Sequence, residues 1–128
     1  MLCCKKRYYK YAIFVCLLFG LINISAEGFL TPDKMNTIKK RYGQAAYERV
    51  QQWMLLLNQK KITNDADKLK LVNDFFNKAT FVSDREHWKK QDYWATPLEM
   101  LITNGGDCED FSVAKYFSLR EMGMSMAR

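Results

Sequence analysis

Beyond residue 30, apolar residues recur every three or four positions, the period of helices that bury one face. Thr31-Pro32-Asp33 opens the first such segment, with Met35, Ile38 and Tyr42 spaced along one face and Gly43 interrupting it. A second runs from about Gln44 to Asn58, where Ala46, Val50, Trp53, Met54 and Leu57 form an apolar stripe. Asn64 is placed to cap a third, in which Leu69, Val72, Phe75 and Phe76 face inward. Thr80-Phe81-Val82 is too short to assign as a strand, and the polar and aromatic stretch Ser83 to Tyr93 reads as one helical turn and a loop.

Thr96-Pro97-Leu98-Glu99 has the form of a capping box with proline at the first helical position. It predicts a short helix carrying Leu98, Leu101 and Ile102. Asn104-Gly105-Gly106 ends that helix, since glycine accepts the left-handed cap conformation. The last helix is predicted from about Cys108 to Met122, with Gly123 as its stop. Its apolar residues Phe111, Val113, Ala114, Tyr116, Phe117 and Leu119 spread over more than one face, so it requires covering on several sides. The pattern is that of a mostly α-helical chain without internal repeats.

The first 26 residues change the reading of composition. Lys5, Lys6, Arg7 and Lys10 precede an apolar run from Tyr11 to Ile24, followed by Ser25-Ala26-Glu27, the layout of a secretory signal peptide. The run is shorter than the roughly 20 residues of a permanent membrane helix. Left uncleaved, it would serve as an inner-membrane anchor. Residues 27–128 form one small helical domain on this reading. Four of the 20 basic residues and none of the 14 acidic ones lie in the leader, so the remainder carries a net charge of only +2. The basicity is mostly targeting sequence and gives no reason to invoke nucleic acid.

Cys3, Cys4 and Cys16 also fall in the leader, which leaves Cys108 as the only thiol of the exported part. It sits in Gly105-Gly106-Asp107-Cys108-Glu109-Asp110-Phe111 at a helix start. Unpaired N–H groups and the helix dipole favour negative charge there and can stabilise an oxyanion. A lone thiol is either an inert buried residue or a reactive one. Asp107, Glu109 and Asp110 oppose a thiolate by like charge. They either cap the helix or bind a hard cation such as Ca²⁺. Trp88, Tyr93 and Trp94 read as packing aromatics, with a recognition surface as the alternative. One thiol and one histidine cannot make a tetrahedral zinc site.

The stretch Asp92-Tyr93-Trp94-Ala95-Thr96-Pro97-Leu98-Glu99, then Gly106-Asp107-Cys108-Glu109-Asp110-Phe111, then Ala114-Lys115-Tyr116-Phe117 and Leu119-Arg120-Glu121 with Gly123, resembles the bacterial transglutaminase-like cysteine proteinases, the LapG-type periplasmic proteases. The resemblance covers about Asp92 to Gly123. It implies an α+β papain/transglutaminase-like fold with a Cys-His-Asp triad and Cys108 as nucleophile. It also implies a Ca²⁺ site that includes Asp107, Glu109 and Asp110. The expected function is a calcium-dependent periplasmic cysteine protease. Its expected substrate is the N-terminal region of a large surface adhesin, whose cleavage controls biofilm attachment. Its expected inhibitor is a cyclic-di-GMP-sensing inner-membrane receptor.

One departure from the family pattern stands out. The family's histidine and aspartate follow the nucleophile helix, on strands packed against it, whereas this sequence runs only to Arg128 and its single histidine, His87, lies upstream. His87 reads as a surface or loop histidine beside an aromatic residue. The sequence is therefore expected to be an N-terminal part whose polypeptide alone is inactive. The alternative function is a catalytically inactive remnant that still binds calcium or a receptor.

Overall fold

The computed structural model describes residues 30–59 and 61–125, so the leader at residues 1–26 lies outside the described residues. The elements below belong to the compact unit Pro32–Arg128. Among the described residues, no helix is long and apolar enough to cross a membrane.

Helix α1 (Pro32–Tyr42) begins on its proline, which fits the first turn because its missing N–H would have no partner there. Met35 and Ile38 are buried as their spacing predicts, but Tyr42 is 49% exposed. Gly43, at φ 89°, joins α1 to α2 (Gln44–Leu57). The α2 stripe is Ala46, Val50, Trp53 and Leu56, with Met54 and Leu57 at its margins. Asn64 caps α3 (Asp65–Phe76) by accepting from the Ala66 N–H at 2.9 Å. Val72 and Phe76 are buried there, while Leu69, expected inward, is 46% exposed and Lys68 is buried instead. Lysine can lay its methylene stem on the core and keep its charge near Asp65, 3.7 Å away.

Thr80–Phe81 forms strand β1, which the sequence was too short to declare. A single helical turn, α4 (Asp84–His87), follows it. Helix α5 (Pro97–Thr103) starts on the Thr96 capping box: Glu99 N–H donates to the Thr96 hydroxyl and Thr96 N–H to the Glu99 carboxylate. Burial raises the Glu99 carboxyl, but hydrogen bonds from Thr96 and Tyr93 outweigh it and leave it below the usual range. Asn104, not a glycine, takes the left-handed cap position at φ 58°.

Gly105–Gly106 instead forms strand β2, parallel to β1, with Thr80 opposite Gly105 and Phe81 opposite Gly106. The ladder is fixed by Thr80 N–H to Asn104 O at 3.0 Å and Val82 N–H to Gly106 O at 2.9 Å. Close approach is why glycine is required there. A Cβ on Gly105 would lie 2.9 Å from Val82 Cγ1. Helix α6 (Cys108–Glu121) leaves β2 directly and packs on α3 and α5, while α2 packs on α1 and α5. Two polar ties cross this core. Arg49 of α2 donates to the Leu101 and Ile102 carbonyls at the end of α5, at 2.6 and 2.8 Å. Trp53 Nε1–H donates to Ser118 Oγ at 2.8 Å, and that hydroxyl donates on to the Ala114 carbonyl at 2.7 Å. Ser118→Ala leaves the buried indole N–H without an acceptor. It is expected to cost about 1–3 kcal/mol in urea unfolding, with the circular dichroism spectrum unchanged.

Candidate active site and metal centre

Cys108 is the first residue of α6 and is exposed. Its thiol lines a shallow cleft of about 490 Å³ between the end of α3, strand β1 and α6. Ala79, Phe81 and Phe111 give the cleft its apolar surface, and Asn77, Ser112 and Lys115 its polar one. Phe81 is 65% exposed, an apolar side chain held out beside the thiol. Cys108, Phe111, Ser112 and Lys115 recur at i, i+3, i+4 and i+7, so one stripe of α6 faces the cleft. Ser112 Oγ donates to the Cys108 carbonyl at 2.8 Å.

The structure places the three acidic neighbours differently from one another. Asp110 has no exposed surface. Its Oδ1 accepts from the Ala95 N–H at 2.6 Å and its Oδ2 from the Asp107 N–H at 3.3 Å. One carboxylate thus ties the segment ahead of α5 to the start of α6. A Cβ on Gly106 would sit 2.6 Å from Asp110 Oδ2, so that glycine makes room for the carboxylate. Asp107 and Glu109 are half-buried at the same helix start.

Asp84, which the sequence did not mark as a ligand, joins all three. Oxygens of Asp84, Asp107 and Asp110 lie within 4.8 Å of one another, as do those of Asp84, Asp92 and Glu109. Asp84 is only 4% exposed; its Oδ2 accepts from the Tyr93 N–H at 2.5 Å, while its Oδ1 is buried without a hydrogen-bond partner. Asp107 Oδ1 is likewise buried and unpartnered. Buried carboxylate oxygens without donors are costly. Burial raises the Asp107 carboxyl, and Glu109 and Asp84 add to the rise. Burial also raises the Asp110 carboxyl, against the pull of its two N–H donors. All the donors are hard oxygens, so the set fits Ca²⁺ or Mg²⁺ rather than a thiophilic metal. A signal for Asp84 existed in the Ser83-Asp84 start of a short helix, but its meaning depends on residues 107–110 arriving beside it.

His87 ends α4 with its ring edge-on to Trp88, centroids 4.7 Å apart, and its Nε2 is buried without a partner. It lies against β2, within 3.4 Å of where a Gly105 Cβ would be, and is not among the residues lining the Cys108 cleft. Trp88 and Tyr93 pack as aromatics with ring centroids 4.7 Å apart and planes tilted by 47°, but Trp94 is 66% exposed and does not pack as they do.

Comparison with known proteins gives a consistent result. A family model described as bacterial transglutaminase-like cysteine proteinase, BTLCP, matches residues 49–128. Among solved structures, calcium-bound LapG of Legionella pneumophila is 32% identical over 73% of this chain and 51% of that one, with a TM-score of 0.59. EGTA-treated LapG of the same organism is also 32% identical, over 73% and 50%, with a TM-score of 0.60. The chain therefore spans about half the length of these solved relatives. No curated protein matches it.

Proposed function

The chain belongs to the bacterial transglutaminase-like cysteine proteinases, and on that premise we propose that its Cys108 sulfur attacks peptide carbonyls, with Ca²⁺ held at the neighbouring acidic cluster. The observation that carries the reading is an exposed thiol on the first turn of a helix, facing a partly apolar cleft. Attack forms the carbon–sulfur bond and moves the carbonyl π pair onto oxygen. An N–H of the helix start left without an intrahelical partner can stabilise that oxyanion. Collapse re-forms the carbonyl and expels the amine, which takes up the proton that left the thiol; water then hydrolyses the thioester to the acid and returns a proton to sulfur. The thiol proton needs a base, and no histidine lines the cleft among the described residues.

Asp84, Asp107 and Asp110, with Asp92 and Glu109 beside them, would hold the calcium. Bound there, calcium supplies positive charge that offsets carboxylate repulsion. The likeness to a LapG solved in calcium-bound and EGTA-treated forms supports this choice of metal. We place the reaction in the periplasm, with an adhesin N-terminal segment as substrate and a cyclic-di-GMP-sensing receptor as restraint. The leader pattern of residues 1–26 and the family resemblance support that placement. Binding of calcium or receptor without turnover is the second reading, favoured by the buried, unpartnered carboxylate oxygens of Asp84 and Asp107 in the acidic cluster.

The test is covalent trapping. An epoxysuccinyl probe with short neutral peptide arms is expected to label Cys108 saturably, faster with calcium than with EGTA, and not to label Cys108→Ser. Labelling that never saturates, or that survives Cys108→Ser, would overturn the protease reading.

A pH prediction follows from the raised Asp107 and Asp110 carboxyls. Both bind protons more tightly folded than unfolded. Their contribution to stability is therefore greatest when they are protonated and is lost as pH rises above the ordinary carboxylate range near ~4. Calcium competes with those protons. Calorimetric calcium affinity is expected to rise from pH 5 to pH 7.5, with protons released on binding; an affinity flat across that range would contradict these ligands.

A further inference from the structure

We propose that Lys115 is a specificity-determining residue that selects peptides carrying an acidic side chain about three residues from the bond attacked. This rests on the protease reading and deepens it to a substrate class.

Lys115 stands two turns beyond Cys108 on the stripe of α6 that faces the cleft. Its ammonium is not loose. It donates to Asn73 Oδ1 and Asn77 Oδ1, each at 2.8 Å, and lies 5.6 Å from the Phe111 ring centroid. Two neutral amides fix the position of the charge without cancelling it, and an ammonium has three donors. Among the described residues no carboxylate is within ion-pair distance of Lys115. The cleft thus presents one positioned cation with a donor to spare.

Its surroundings give the site a direction. Seven residues of helix set the Cα atoms of Cys108 and Lys115 about 10 Å apart along the axis, a span that about three residues of extended peptide cover. Between them Phe81, Phe111 and Ala79 offer apolar surface for the intervening side chains. Lys115 is the only charged side chain in the lining of the cleft. A peptide acid is therefore drawn toward Lys115, and a peptide base is repelled by it. A lysine serving only to join α3 to α6 would affect stability and show no charge preference.

Epoxysuccinyl probes with three-residue arms on either side of the core separate these possibilities. The arms are neutral, or end in one Glu or one Lys, and the rate of Cys108 labelling is measured on the calcium-loaded chain. A Glu on one of the two arms is expected to raise the rate about fivefold over neutral, the scale of a partly exposed ion pair. Lys115→Met removes that gain, Lys115→Arg keeps it, and Lys115→Glu transfers it to the Lys probe. Iodoacetamide labelling of each variant supplies the reference rate for its thiol, against which the neutral, Glu and Lys probes are compared. Saturable labelling by the neutral probe with no Glu gain on either arm, or a gain that survives Lys115→Met, overturns the role of Lys115 and leaves the protease reading standing. A neutral probe that never saturates removes the protease reading and this proposal with it.

Discussion

Asp110→Ala is expected to lower stability by about 3–5 kcal/mol, enough to unfold much of a small domain. Asp110 is fully buried, and its two oxygens accept from Ala95 and Asp107. Ala95 is itself only 1% exposed, so water cannot replace the lost acceptor. Each orphaned N–H costs about 1–3 kcal/mol, and the vacated volume adds to that. Asp110→Asn separates structure from charge. It keeps the shape and an acceptor toward Ala95, and it relieves repulsion with Asp107 and Asp84, both of which raise the Asp110 carboxyl. Its expected loss in EGTA is about 1–2 kcal/mol. On the proposed calcium site, calcium is expected to raise the melting temperature of the parent protein and not that of Asp110→Asn. If Asp110→Ala unfolds at the parent's urea midpoint, the Ala95 hydrogen bond is not an anchor of this fold.

Much of the helical frame was legible because helices are local. The stripes of α2 and α3, the Asn64 cap and the Thr96 capping box all depend on residues within one or two turns of each other. Leu69 shows the limit: periodicity places a face only to within a residue, and Lys68 took the buried position with its stem. The β1–β2 pair was not legible, because two residues at Thr80–Phe81 acquire meaning only from Gly105–Gly106 across a long connection. For the same reason the glycines were read as a helix cap, when their role is to let Val82 and Asp110 approach.

The candidate site divides along the same line. Cys108 and its acidic neighbours are contiguous in sequence, so their chemistry was visible before any fold was known. Asp84 and Asp92 reach the cluster only by tertiary packing. Lys115 is an intermediate case. Its i+7 spacing from Cys108 was present in the sequence, but the two asparagines that hold its ammonium come from α3 and its turn.

Gly106→Ala should destabilise almost as strongly as the loss of Asp110 and should abolish calcium-dependent stabilisation with it. The added methyl would lie 2.6 Å from Asp110 Oδ2 and 2.7 Å from Asp110 Cβ, closer than such atoms can approach. Overpacking alone costs about 1–3 kcal/mol. Here the displaced group is also the acceptor for Ala95 and a member of the acidic cluster, so the two losses compound. Gly43→Ala is the informative contrast. Gly43 has open space around it but sits at φ 89° and ψ 174°, so alanine there suffers backbone strain of about 1–3 kcal/mol and no clash. It is remote in sequence from the acidic cluster, and its calcium response should be intact. Calcium titrations followed by thermal melts of the two variants test the difference. Equal calcium responses would mean that Gly106 acts through backbone conformation alone and that the Asp110 carboxylate does not contribute to the metal site.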